Sequence, residues 1–242
     1  MKIKQKKILV VVAHPDDEVL GCGGIIAKHV SEGDEVHILA LADGVTSRHY
    51  DPKVKRENET KRFKRLIDIR KQEFFAAIQI LGVNQANCHY LGYPDQRLDA
   101  IPLLDIIKQI EAISEKIDPD KIYTHHWGDL NKDHRICYEA ALTAFRPNRM
   151  IGGERSKVSI FCFETAGNMN LLAPKAVFRF APDHNSDISR FINIKQEALA
   201  AYKSELREFP HPFSLKAVKN QAADRARRLN CKYAEAFQAI NI

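Results

Sequence analysis

The 242-residue chain lacks the features that would place it in a membrane, in an oxidising compartment or in several pieces. No stretch approaches the roughly 18 uninterrupted apolar residues that a spanning helix needs. The basic start, Met1 to Lys7, is followed by an apolar run of only Ile8 to Ala13, too short for the h-region of a secretory signal. A cytoplasmic location is expected. The five cysteines (Cys22, Cys88, Cys137, Cys162, Cys231) are scattered, odd in number and never in a CxxC pair, which argues against a disulfide framework and against a thiolate zinc site. Free, buried thiols are expected instead. The 11 glycines and 10 prolines form no linker, and no internal repeat or low-complexity segment interrupts residues 1–242, so a single domain is expected.

Charge of one sign is also modest overall, with a formal net charge of +6. It is concentrated in two helical-looking stretches: Lys53 to Lys71 holds nine Lys or Arg against three acids, and Lys216 to Lys232 holds six against one. Such runs read first as solvated helix faces, and no recognition motif accompanies them, so nucleic-acid binding is not expected. A basic run bordering the active site would favour an anionic small molecule. The sequence is compatible with a monomer or a homo-oligomer.

What is present is an alternation of strands and helices. Ile8 to Ala13 is apolar and β-branched throughout, the pattern of a central strand buried on both faces, and Val36 to Ala42 repeats it. Glu18 to Val30 between them supplies a crossover helix, giving a β-α-β unit. Helical spacing follows at Lys55 to Leu81, Ile101 to Ile117 and Asp133 to Phe145, with strands at Cys88 to Leu91 and Lys121 to His125. The alternation predicts a Rossmann-like α/β fold: a mostly parallel sheet with helices on both faces. Beyond Pro147, strand-like pieces at Val158 to Glu164 and Ala176 to Phe180, helices at Ile192 to Leu206 and Ser214 to Leu229, and the terminal Tyr233 to Ile240 form an extension expected to wall the site.

The first strand runs into Ala13-His14-Pro15-Asp16-Asp17-Glu18, and the fourth into His125-His126-Trp127-Gly128-Asp129-Leu130-Asn131-Lys132-Asp133-His134. Both segments lie at the carboxyl edge of the strands, where open α/β sheets bind ligands. Nitrogen and carboxylate donors together suit zinc, ahead of manganese or iron. Gly21, Gly23 and Gly24 beside a β-α-β unit suggest a nucleotide-binding turn, but the fingerprint needs glycine where Ile26 stands, and the acids before it would repel a phosphate.

Ala13 to Glu18, followed later by Asp133-His134, resembles the PIG-L/LmbE-like zinc-dependent de-N-acetylases, whose signature is an AHPDDE segment and an HxDH-type segment. Further likeness lies in Gly21 to Gly24, Arg70 to Gly82, Pro210-His211-Pro212 and Tyr233 to Phe237. The resemblance implies that His14, Asp17 and His134 hold Zn²⁺, that Asp16 is the general base, and that Arg70 and Asp95 contact a small sugar-like substrate. Asp133 is expected to orient His134 or a partner. Relatives that hydrate unsaturated carboxylic acids make that reaction the alternative. One position departs from the family: Asn131, expected among the substrate-binding residues, stands for the first histidine of HxDH and has no titrating proton to give. Either Asp16 returns the proton it took or another group is the acid, and His211, stiffened by two prolines, is expected to serve. Phe213, where relatives often carry arginine, marks a second departure in that loop.

Overall fold

A computed structural model describes residues 5–47, 56–146, 158–165, 167, 179–227 and 229–240. The strands are β1 (Lys7–Val12), β2 (Glu35–Ala42), β3 (Cys88–Tyr93), β4 (Lys121–His125), β5 (Ser159–Phe163), β6 (His184–Asp187) and β7 (Ala234–Ile240). The helices are α1 (Asp17–Ser31), α2 (Arg56–Ile80), α3 (Leu103–Ile117), α4 (Lys132–Ala144), α5 (Ile192–Ala201) and α6 (Leu215–Ala226). One sheet takes in both halves of the chain, in the order β3-β2-β1-β4-β5-β7-β6. The first five strands in that order are parallel, while β7 pairs antiparallel to both β5 and β6.

The continuous apolar runs follow from burial on two faces. Along β1, Ile8, Val10 and Val12 pack with α1, α2 and α5, while Leu9 and Val11 pack with α3 and α4. All five are fully buried, and each such side chain contributes roughly 1.5–3 kcal/mol. The close seating of α1 explains Gly21, since a Cβ there would lie 2.2 Å from the Phe163 ring. Gly24 is also tightly enclosed, by Ile188, and Gly23 faces Lys195 of α5, so the glycines of α1 serve close packing in this chain. Glu235 of β7 then accepts the Gly24 and Ile25 backbone N–H groups, at 2.8 and 2.7 Å, just past a kink at Cys22. Lys195 Nζ neutralises that buried carboxylate at 2.6 Å.

Two expectations need correction, and one strand was not expected at all. The helix expected to reach Leu206 stops at Ala201, because tertiary partners claim the following residues. Tyr202 turns inward to donate to Glu18, Ser204 bonds Glu73, and Glu205 bonds Arg70. Next, β6 had no apolar signal: His-Asn-Ser-Asp is a polar edge strand, recruited by backbone pairing to β7. Finally, Cys88 and Cys231 are only partly buried, whereas Cys22, Cys137 and Cys162 are buried. The strand expected at Ala176 to Phe180 lies mostly outside the described residues, and residues 179–180 belong to no element. Among the described residues, no helix is long and apolar enough to cross a membrane.

Candidate metal centre

The carboxyl ends of β1 and β4 lie side by side, and the Ala13 N–H donates to His125 Nε2 across the gap, at 3.0 Å. The turn after β1 is tight. Asp16 takes φ 117°, a left-handed conformation that costs a non-glycine residue on the order of 1–3 kcal/mol. The strained turn is held by its own chain: the Asp16 N–H donates to Glu18 Oε2 at 3.0 Å, and the Asp16 carbonyl accepts from Val19 and Leu20. Glu18 is therefore a buried bracket. Burial pushes its carboxyl up to about 8, against the pull of the Tyr202 hydroxyl that donates to it. On the β4 side, Asn131 caps α4 by accepting the Asp133 N–H at 2.9 Å, which puts Asp133 and His134 in the first helical turn, facing β1.

His14 Nδ1, Asp17 Oδ2 and His134 Nε2 converge. Their separations are 3.3 Å (His14 to Asp17), 3.4 Å (His134 to Asp17) and 3.3 Å (His134 to His14). A tetrahedral ion with bonds of about 2.0–2.1 Å spaces its donors by roughly 3.3–3.4 Å, so these residues fit such an ion. All three are buried. Further histidine and carboxylate groups lie behind them. His14 Nε2 faces Asp95 Oδ1 at 3.0 Å and Asp133 Oδ2 at 3.3 Å, and His134 Nδ1 faces Asp129 Oδ2 at 2.9 Å.

The carboxylates of this cluster favour positive charge on the imidazoles among them. Burial works against charge on His14, but its hydrogen bonds to Asp133, Asp17 and Asp95 outweigh this and hold it well above the usual imidazole range. Burial likewise opposes charge on Asp17, but His134 and His125 keep its carboxyl well below the usual value. Asp133, expected to orient His134 or a partner, faces His14 and fixes itself on the Leu98 N–H at 3.1 Å. The orienting residue for His134 is Asp129, which sequence reading quoted within its segment but did not single out. A carboxylate on the second ring nitrogen fixes the tautomer that leaves Nε2 free to bind metal. Asp129→Ala is expected to weaken metal affinity on the order of 10- to 100-fold, measured by competition with a chelator. Unchanged affinity would count against that role.

Arg70 was expected on a solvated helix face or on the substrate; it is instead only 1% exposed. Its guanidinium pairs with Glu205, lies 3.4 Å from Glu73 and 4.0 Å from Asp16, and donates to the Gly44 carbonyl at 3.2 Å. Gly44 has φ 70°, and a Cβ there would press on Arg70 and His14, so only glycine suits this approach. A cavity of about 180 Å³ opens over the cluster, lined by His14, Asp16, Asp17, Arg70, Asp95, Asn131 and His134, with Gly44, Ser47, Gln96 and Phe213 completing it. Of residues 61–71 in the basic run, Arg70 alone lines it, and its charge is met by acids. His211 is exposed; its Nδ1 accepts the Phe213 N–H at 3.1 Å, and its ring packs edge-on against Phe213. Trp127 and Tyr93, aromatic residues of a kind that can stack on a sugar ring, do not line the cavity, and Trp127 stacks on His126 instead.

His126 supplies a separate pH dependence. It is fully buried; Nδ1 accepts the Gly128 N–H at 2.9 Å and Nε2 faces Gln238 Oε1 at 3.0 Å, an arrangement that requires the neutral ring. Burial pushes its pKa down to about 4. Between pH 6.5 and 4 the unfolded chain therefore binds a proton that the native ring refuses, so stability is full above 6.5 and is lost as pH falls. His126→Asn, which keeps an acceptor for Gly128, is expected to make the acid arm of stability shallower by up to one proton, read from urea midpoints between pH 4.5 and 7.5. An unaltered slope would refute this.

Residues 9–145 match the family model described as PIG-L, GlcNAc-PI de-N-acetylase. The chain is 27% identical over 202 residues to the probable N-acetyl-alpha-D-glucosaminyl L-malate deacetylase 2 of Bacillus cereus, covering 83% of this chain and 84% of that one. It is also 31% identical over 145 residues to the 4-oxalmesaconate hydratase of Pseudomonas putida, covering 60% of this chain and 53% of the hydratase. Among solved structures, the N,N'-diacetylchitobiose deacetylase from Pyrococcus horikoshii superposes with a TM-score of 0.72 at 24% identity, covering 97% of this chain and 84% of that one, a likeness of fold.

Proposed function

Given that the chain belongs to the PIG-L, GlcNAc-PI de-N-acetylase family, we propose that it is a metal-dependent deacetylase that hydrolyses the N-acetyl group of a small N-acetylglucosamine-like sugar derivative. The observation that carries the metal is the donor triangle of His14, Asp17 and His134, with edges of 3.3, 3.4 and 3.3 Å. Zn²⁺, the best match to two imidazoles and a carboxylate, would supply a Lewis acid that acidifies water and polarises an acyl oxygen.

The chain's own residues do the rest. Asp16 lines the cavity beside the donors, and as general base its carboxylate takes a proton from the water that attacks the acyl carbon. As the C–N bond breaks, the same carboxyl returns the proton to the departing amine. Asn131 cannot do so, and the exposure of His211 and its bond to Phe213 weigh against the acid role expected of it. Asp95 and Asp133 keep the His14 ring turned with Nδ1 toward the donor cluster, and Arg70 holds the Asp16 and Gly44 turns together. Ser47, Asp95, Gln96 and Asn131 offer hydroxyl-pairing groups around a space of about 180 Å³, room for roughly six waters and hence for one sugar ring.

The test is a screen of N-acetylated sugars, free, malate-linked and nucleotide-linked, with the zinc-loaded protein and scored for free amine. Amine release from at least one of them is expected. No release, together with hydration of an unsaturated dicarboxylic acid, would replace this reading with the hydratase one favoured by the 31% identity to the 4-oxalmesaconate hydratase.

A further inference from the structure

A second cavity lies at the opposite, amino-terminal edge of the sheet. It is about 230 Å³, and its lining includes Lys6, Lys28 and Lys121 at the rim and Tyr123, Phe161 and Phe237 from β4, β5 and β7. One wall is the last turns of α1, and the other is the edge strand β6 with His184, Asn185 and Ser186. The metal centre is a strand's length away, at the far ends of β1 and β4, and the two cavities share no lining residue.

Its charge is unbalanced. Three ammonium groups face one lining carboxylate, Glu32, and no carboxylate of the described residues pairs with Lys6, Lys28 or Lys121. Asp34 lies beside the cleft, where one oxygen accepts the Lys6 backbone N–H at 2.9 Å and the other faces His29 Nδ1 at 2.7 Å, so its negative charge also counts there. Burial, and then the neighbouring Lys6, depress the Lys121 ammonium against the opposing pull of Asp34 and Glu32. Lys28 Nζ donates to Ser186 Oγ at 3.4 Å. Three clustered ammonium groups against the two carboxylates Glu32 and Asp34, neither of them in an ion pair with those lysines, still leave the cleft positive and suited to an anion.

The floor favours a flat ring. Phe161 is half-buried and near-parallel to Tyr123, with centroids 5.5 Å apart, and the Lys121 ammonium stands 5.6 Å from the Phe161 ring centre. His184 packs against the same ring at 5.1 Å. A cavity of about 150 Å³ holds a benzene, so the space here admits a ring and one acid group.

We propose that this cleft is a second ligand site for a small aromatic anion, a ring bearing one carboxylate or phosphate, with the ring on Phe161 and the acid group among Lys6, Lys28 and Lys121. The acid group replaces water at the ammonium groups, while offset stacking places the ring. Nothing in this proposal depends on the reaction at the metal.

The test is calorimetric titration of the full, metal-loaded chain with benzoate and with phenyl phosphate, and with benzamide and inorganic phosphate as partial probes. Binding of one equivalent of benzoate or phenyl phosphate is expected, at least about tenfold tighter than either partial probe. The double variant Lys28→Gln/Lys121→Gln should lose roughly 100-fold in affinity while its thermal midpoint and metal content match those of the wild type. Because that readout is binding, its failure is separate from any failure of deacetylation. The proposal is overturned by no binding at millimolar probe, by a double variant that binds as the wild type does, or by a partial probe that binds as well as the whole one.

Discussion

His134→Ala is expected to yield a folded protein without its metal and with turnover reduced on the order of 10³-fold or more, the scale of the several kcal/mol that a bound ion contributes to such a reaction. The physical reason is the donor triangle. His134 Nε2 forms two of its three edges, at 3.3 and 3.4 Å, and alanine leaves two donors where a catalytic zinc site needs three. His14→Ala should behave alike, removing both Nδ1 from the triangle and the group on which Asp95 and Asp133 converge. The decisive measurements are metal content by atomic emission and thermal midpoint with and without added Zn²⁺. Wild-type protein should gain stability on metal addition, about 2.7 kcal/mol at a hundred times the dissociation constant, and the variants should not. A double variant that still holds one metal per chain would end the assignment.

Asp16→Asn separates base from ligand. It should retain the metal and lose on the order of 10²- to 10⁴-fold in turnover, the contribution of a positioned general base. Asparagine suits the site structurally, because it tolerates the left-handed region that Asp16 occupies at φ 117° better than most residues, and it keeps the N–H that Glu18 accepts. Asp17→Asn should instead weaken metal binding, since Oδ2 is both a triangle vertex and the acceptor of the His14 N–H at 2.9 Å. If Asp16→Asn stripped the metal and Asp17→Asn did not, the two roles would be exchanged. His211→Gln is the companion measurement. Turnover within a few-fold of wild type is expected and leaves Asp16 as both base and acid, whereas a loss of about 10²-fold with metal retained would give the acid role to His211.

Much of the architecture was legible before any coordinates, and for a local reason. The strands Ile8 to Ala13 and Val36 to Ala42 are apolar on both faces, which only a central sheet position accommodates, and the motif directly after β1 lands at the sheet edge by connectivity alone. The helix starting near Asp133 was legible because its cap, Asn131, and its first-turn acid, Asp133, lie two residues apart in sequence. Where a prediction needed partners distant in sequence, it fell short. The polar strand β6 exists only because β7 offers it a backbone edge, and α5 ends early because Glu18, Glu73 and Arg70 claim the residues beyond it.

The same division runs through the site. By itself the sequence determined which residue types stand at the proposed centre, their order and their placement at one sheet edge, because short motifs at strand ends carry that information locally. Only the tertiary structure decided which carboxylate supports which imidazole: Asp133 and Asp95 on His14, and Asp129 on His134. It alone decided that Arg70 is buried among Glu73, Glu205 and the Gly44 carbonyl, and that His211 turns to its own loop. Those outcomes depend on side chains separated by tens of residues competing for the same few ångströms of buried space, and on the cost of leaving any charge there without a partner. No periodicity or spacing along the chain records that competition.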